Sequence, residues 1–189
     1  MSNTIRSMIL GIVASFLITG TALAVTATRI NTDITQAEVE AAQQAWGEAL
    51  VQIATDYTDG GIDRARATAE AVIDAAYGYE LGPVLFKPTL TQQPQTFRTT
   101  REGALAYFVG HNDNFPNDDG FALKGWTKVE IVNAAIYISG DVAKTIGNVV
   151  LTDADGNVTT VDKTWGFQRD EEGTLRIVLH HSSLPYQPD

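Results

Sequence analysis

The chain has no cysteine among its 189 residues. Disulfide staples, thiol nucleophiles and thiolate metal ligands are all excluded by that absence. Histidine is scarce, with three in the whole sequence, so an imidazole-built metal site has few ligands to draw on. Positive charge is scarce as well: 13 Lys and Arg stand against 23 Asp and Glu, a formal net charge of −10. Nucleic acid is bound mainly through Lys and Arg neutralising phosphates, and anionic membrane surfaces attract the same residues. Neither is an expected partner. Internal repeats, low-complexity tracts and long apolar runs are missing too, apart from one run at the start.

That run is MILGIVASFLITGTALA, residues 8–24, preceded by Arg6 and ending in the small-x-small pattern Ala22-Leu23-Ala24. Its 17 residues include Gly, Ser and Thr, which is short of the roughly 20 apolar residues a spanning helix needs. A cleaved secretory signal over 1–24 is the expectation, with an exported, periplasmic mature chain and no membrane attachment after cleavage. Only Arg6 is lost with it, so the mature chain of 165 residues carries a formal charge of −11. A Thr/Asn-rich lead over 25–34 precedes a single domain, 35–189, long enough to bury a substantial core.

Thr35 and Glu38 form a capping-box pair that opens a helix, and Trp46, Leu50, Ile53 and Tyr57 follow as one apolar stripe. Asp59-Gly60-Gly61 ends it. A second helix is expected from Asp63 to Ala76 with Ala67, Ala71 and Ile73 on its apolar face. Next come a short apolar strand within YGYELGPVLFKPT (77–89) and a third helix through REGALAYFV, capped by Thr99 and Glu102. From Trp126 onward the pattern becomes four strand-like runs separated by SGD, DADGN and DEEG, each a turn signal. Short turns between consecutive strands give an antiparallel meander, and long strands twist and curl. The fold class is therefore α+β, with N-terminal helices packed in the concave face of one curved sheet and a pocket between them.

The last of those runs holds His180, His181, Ser182 and Ser183. Side chains alternate along a strand, so His180 and Ser182 share one face while His181 and Ser183 share the other. Two of the three histidines thus diverge, which excludes a three-histidine zinc site. Asp118, Asp119 and His111 show no ligand spacing. Taken alone, the motif reads most simply as two structural histidines with strand-edge hydrogen bonds from the serines.

More than that motif is at hand. GPVLFKPT (82–89), FRTTREGALAYFVG (97–110), FALKGW (121–126), VDKTWGF (161–167) and LRIVLHHSSLPY (175–186) resemble the iota-class carbonic anhydrases. That family is related to the association domain of calcium/calmodulin-dependent kinase II. The similarity runs in order from Thr35 to Tyr186. It implies a nuclear-transport-factor-2-like cone, a homodimer, and reversible hydration of carbon dioxide to bicarbonate. By motif, the family's bicarbonate-contacting threonine falls on Thr89, its tyrosine on Tyr107, and its histidine and serine on His180 and Ser182. These four are the expected catalytic residues, with Thr89, Tyr107 and Ser182 binding substrate. The missing ligand set favours a metal-free enzyme over the alternative of Mn or Zn. Phe86, Leu105 and Phe108 are candidates for the dry niche that an apolar substrate needs, and His180, with an ordinary pKa near 6.5, for the proton acceptor. The competing reading is a non-catalytic module of the same fold that binds a small acid or assembles subunits. An isomerase or dehydratase on this fold lacks its Asp/His pair here.

Overall fold

The computed structural model describes residues 33–188; the leader 1–24 and most of the 25–34 lead lie outside them. Helix α1 spans Gln36–Ala76 and opens at the expected cap. The Thr35 amide donates to Glu38 Oε2 at 2.8 Å, and the Glu38 amide donates to Thr35 Oγ1 at 3.3 Å. The break expected at Asp59-Gly60-Gly61 appears as a kink at Gly61, whose φ of 74° only glycine adopts without strain. The two halves otherwise run on as one helical stretch.

The kink resets the helix phase. Before it, Val39, Gln43, Trp46, Leu50 and Ile53 are buried; after it, Ala65, Ala69 and Ile73 are. Ala67 and Ala71 therefore face outward, and Tyr57, next to the break, is 37% exposed. All three depart from the stripes read off the sequence.

Strand β1, Leu85–Lys87, follows, and then helix α2, Arg101–Val109. Thr100, not Thr99, caps α2, accepting from the Gly103 amide at 3.2 Å. With Thr100 as the cap the box position falls on Gly103, so Glu102 closes no capping box, and Asn112 and Asn114 donate to its carboxylate instead. A single 3-10 turn, Phe121–Leu123, leads into the meander. Its strands are β2, Trp126–Ser139; β3, Val142–Asp153; β4, Val158–Arg169; and β5, Leu175–Ser183. The sheet order is β1-β5-β4-β3-β2, with β1 parallel to β5 and the rest antiparallel.

Besides a register shift between Trp126 and Lys128 at the start of β2, two irregularities bend this sheet. One is the register shift between Asn133 and Ala135, opposite Gly147, where a Cβ would collide with the Val132 carbonyl. The other lies between Gly166 and Phe167, opposite β5, and a Cβ at Gly166 would sit 2.9 Å from Leu179 Cβ. Because of the second bulge, β5 changes phase: Ile177 and His180, three positions apart, are both buried. Helix α1 lies in the concavity, where Gly47 lets it approach Val129 closely. Trp46, Tyr77, Phe86, Phe108, Trp165 and Phe167 are among the aromatic residues of the core between helix and sheet.

Candidate active site

Helices α1 and α2 and strands β3, β4 and β5 each send one or two side chains to a hollow between helix and sheet. β5 contributes His180 and Ser182, each 2% exposed, while His181 points outward. In register beside them on β4 stand Trp165, opposite His180, and Lys163, opposite Ser182. The segment after β1 adds Thr89, α2 adds Tyr107 and Phe108, and α1 adds Trp46. All of these but Trp165 border a hollow with about 10 Å³ of room for a water-sized guest, close to the minimum for one such molecule. Its remaining wall is apolar, from Phe121, Val149, Leu151 and Val161. Phe86 and Leu105 are buried outside that lining: Phe86 stacks on the His180 ring at 4.2 Å, and Leu105 belongs to the core.

A buried hydrogen-bond chain fixes the imidazole. Trp46 Nε1 donates to Tyr77 Oη at 3.0 Å, and Tyr77 Oη lies 2.8 Å from His180 Nδ1. The other ring nitrogen, Nε2, meets Lys163 Nζ at close range. Burial and the neighbouring Lys163 both push the His180 pKa well below its ordinary value, so the ring is neutral at neutral pH. An unperturbed imidazole near pH 6.5 is therefore not what the site contains. Lys163 is also buried, and burial lowers its pKa well below the usual lysine range. Its Nζ donates to Ser182 Oγ at 3.3 Å and lies 4.6 and 5.0 Å above the rings of Trp46 and Trp165. No carboxylate pairs with it among the described residues.

The Tyr107 hydroxyl is different again: it is buried, and although Thr89 and the Leu90 backbone come close enough to act on it, neither makes a well-aligned hydrogen bond with it. Burial raises its pKa, opposed more weakly by Leu90 and Thr89 nearby, so it remains a protonated donor. A buried donor left unpaired costs about 1–3 kcal/mol, and proteins rarely keep one without a use. Past Tyr107 and Phe121, a polar depression of about 50 Å³ leads toward Asn117, Asp119 and Lys124. Asp118 on its rim is held by a buried two-pronged pair with Arg98, at 2.7 and 2.9 Å.

All four residues expected from the sequence thus line one hollow. Trp46 and Lys163, which also line it, and Tyr77, which holds His180 from behind, were not among them. Lys163 had a legible signal, since Val161, Lys163, Trp165 and Phe167 alternate on one strand face and a lysine interrupts the apolar set. Among the described residues no group of His, Asp or Glu is placed to hold a metal ion, and no helix is long and apolar enough to cross a membrane.

The family model for metal-independent carbonic anhydrase matches residues 37–184. The chain belongs to that family. A metal-independent carbonic anhydrase of Nostoc sp. is 63% identical over 158 residues, spanning 84% of this chain and 77% of the relative. The crystal structure of a cyanobacterial iota-carbonic anhydrase complexed with bicarbonate is 61% identical. It covers 87% of this chain and 100% of that one, with a TM-score of 0.84. A calcium/calmodulin-dependent kinase II association domain from Xanthomonas campestris shares the fold at 20% identity and a TM-score of 0.51, over 89% and 100% of the two chains. Membership in the metal-independent carbonic anhydrases makes the chain an enzyme rather than a bare binding or assembly module. It also selects the metal-free alternative over Mn or Zn.

Proposed function

We propose that the protein interconverts carbon dioxide and bicarbonate in the hollow between Thr89, Tyr107, His180 and Ser182. One observation carries this reading: the buried Tyr107 hydroxyl, with no well-aligned protein hydrogen bond, borders a small hollow shared with Ser182 and His180. A guest that accepts a hydrogen bond there relieves the cost. The bicarbonate complex of the 61% identical relative supports the same choice of guest.

The chemistry follows from the lining. Carbon dioxide is small, linear and apolar, which suits the wall of Phe108, Phe121, Val149 and Leu151, and a hollow with room for one water has to widen to seat it beside the attacking water. When water attacks its carbon, negative charge builds on the substrate oxygens. Hydroxyl donors from Thr89, Tyr107 and Ser182 stabilise that charge in a site from which bulk water is excluded. His180 is held in one orientation by Tyr77 and fixes the polar end of the hollow.

The magnitudes set a demanding condition. Zinc lowers the pKa of bound water from about 15.7 to about 7, worth roughly 12 kcal/mol. A single oxyanion donor is worth about 2.7–4 kcal/mol, and a general base about 10²–10⁴-fold. Three donors and a base approach the zinc figure only when rigidly placed, and a slower enzyme than a zinc one is expected. Stopped-flow hydration of carbon dioxide tests the assignment: a rate above buffer supports it, and a buffer-level rate with intact fold refutes it.

The setting of the enzyme is part of the same proposal. The apolar leader 8–24 supports export to the periplasm, and detection of a mature chain starting at Val25 there tests it. The sheet's outer face exposes Val132, Tyr137 and Ile146, which supports a homodimer covering that face. Sedimentation showing only monomer at micromolar concentration would contradict it.

A further inference from the structure

We infer that Lys163 is a further catalytic residue: its amine takes up the proton that hydration releases and holds it as the counter-ion of bicarbonate. The inference rests on the reading of the hollow as the carbon dioxide site and adds a charge-bearing group to it.

Position comes first. Lys163 is the register partner of Ser182, lines the hollow with Thr89 and Tyr107, and reaches Ser182 Oγ at 3.3 Å. Its isolation from acids comes second. A buried ammonium without a carboxylate is costly, and the anion made in this hollow is the charge that completes it. Third, the two indole faces at 4.6 and 5.0 Å give the cationic form a soft environment. Burial lowers the amine's pKa, so the empty site favours the neutral base. His180 is a less open acceptor, because its two ring nitrogens already face Tyr77 and Lys163.

The step balances without another reactant. Water oxygen forms a bond to the carbon of carbon dioxide, and one C=O π pair moves onto its oxygen. A proton of that water passes to the neutral amine. Carbon dioxide, water and amine, all neutral, become bicarbonate and ammonium, an ion pair of zero net charge. Zero net charge is what a low-dielectric hollow tolerates. When bicarbonate leaves, the ammonium again lacks a counter-ion and loses its proton to solvent base, which restores the starting state.

Other ionisable groups face this amine and need separating from it. His180 lies on β5, Tyr77 at the end of α1, Tyr107 on α2, and Lys87 on β1, where it donates to the Ser182 carbonyl at 2.9 Å. Asp118 acts on Tyr107, and His181 acts on His180 from the outer face.

Proton uptake on binding bicarbonate isolates Lys163. Calorimetric titration of the intact protein with sodium bicarbonate, at mildly alkaline pH in two buffers of different ionisation enthalpy, reads it directly. The wild type is expected to take up about one proton per bicarbonate, with affinity falling as pH rises. Lys163→Met, close in length and apolar, is expected to bind roughly tenfold or more weakly, with no uptake and a flat pH profile. Lys163→Gln serves as a second variant, and a melting temperature at or above wild type in either variant separates loss of charge from loss of fold. Bicarbonate bound by the wild type without proton uptake overturns the inference while leaving the carbon dioxide site standing. Uptake that persists in either variant does the same. A wild type that neither binds bicarbonate nor hydrates carbon dioxide overturns both.

Discussion

Tyr77 Oη lies 2.8 Å from His180 Nδ1, tying the end of α1 to β5 across 103 residues of chain. The same oxygen accepts from Trp46 Nε1 at 3.0 Å, so one phenol, on the residue that caps α1, joins the first half of that helix to the site imidazole. Tyr77 itself is 1% exposed and packs on His180 with rings 5.8 Å apart. Its role is to hold the ring in place, and burial keeps its hydroxyl protonated.

Tyr77→Phe keeps the ring packing and removes the oxygen. Trp46 Nε1 and His180 Nδ1 then lose their shared partner, at about 1–3 kcal/mol for each buried group left unpaired. The melting temperature should fall by roughly 2–4 °C per kcal/mol lost in a chain of this size. Thermal unfolding followed by circular dichroism checks it. No fall would mean that the triad of Trp46, Tyr77 and His180 is not formed in solution.

Tyr107→Phe should separate activity from stability in the opposite sense. Its hydroxyl makes no well-aligned protein hydrogen bond, so removing it should leave the melting temperature nearly unchanged or raised. Hydration should nonetheless drop about 10²–10³-fold, the effect of losing one oxyanion donor. Parallel melting and stopped-flow measurements decide. A loss of stability with intact turnover would assign the hydroxyl to the fold instead.

The meander was legible because each strand is long, alternates in character and stops at a glycine-bearing turn. The break at Gly61 was equally plain from Asp59-Gly60-Gly61. What followed the break was not: a kink shifts helix phase by an amount fixed by tertiary packing, so Ala65 and Ala69 turned inward where Ala67 and Ala71 were expected. The cap of α2 lies at Thr100, one residue later than expected, and Glu102 is engaged by Asn112 and Asn114, contacts ten and more residues away. In the site, strand alternation alone paired His180 with Ser182, whereas Thr89 and Tyr107 came from motif resemblance. Tyr77 escaped notice because its role depends on pairing with a strand more than a hundred residues later. Lys163 escaped because a lysine in a strand is normally solvent-facing, and only its three apolar partners on the same face mark it as buried.

Arg98 and Asp118 are both 2% exposed at their side chains and pair at 2.7 Å, beside the polar depression that adjoins Tyr107. Arg98→Met strands the carboxylate and should cost about 3–5 kcal/mol. Adding Asp118→Leu should recover most of that loss, since replacing a buried pair with apolar residues is often neutral. Urea unfolding of the two variants is the check, and a double variant no more stable than the single one would contradict it.

Acid stability should depend on Glu38. The Thr35 backbone amide first, and then Arg169, hold its pKa at about 2 against an ordinary 4.5. A carboxylate whose folded-state pKa is depressed contributes stability that is complete above pH 4.5 and is lost as pH falls toward 2. Glu38→Gln should therefore lower the melting temperature at neutral pH and flatten its acid dependence over that window. Identical pH profiles for wild type and variant would show that the cap and Arg169 contacts are not maintained in solution.

Carbon dioxide hydration by chelator-treated protein, followed by stopped flow in wild type and Ser182→Ala, tests the central claim most directly. A metal-free hollow working through Thr89, Tyr107 and Ser182 gives full wild-type activity after chelation and a drop of about 10²–10³-fold in the variant. Activity that disappears on chelation and returns with Mn²⁺ or Zn²⁺, or a Ser182→Ala rate equal to wild type, would contradict it.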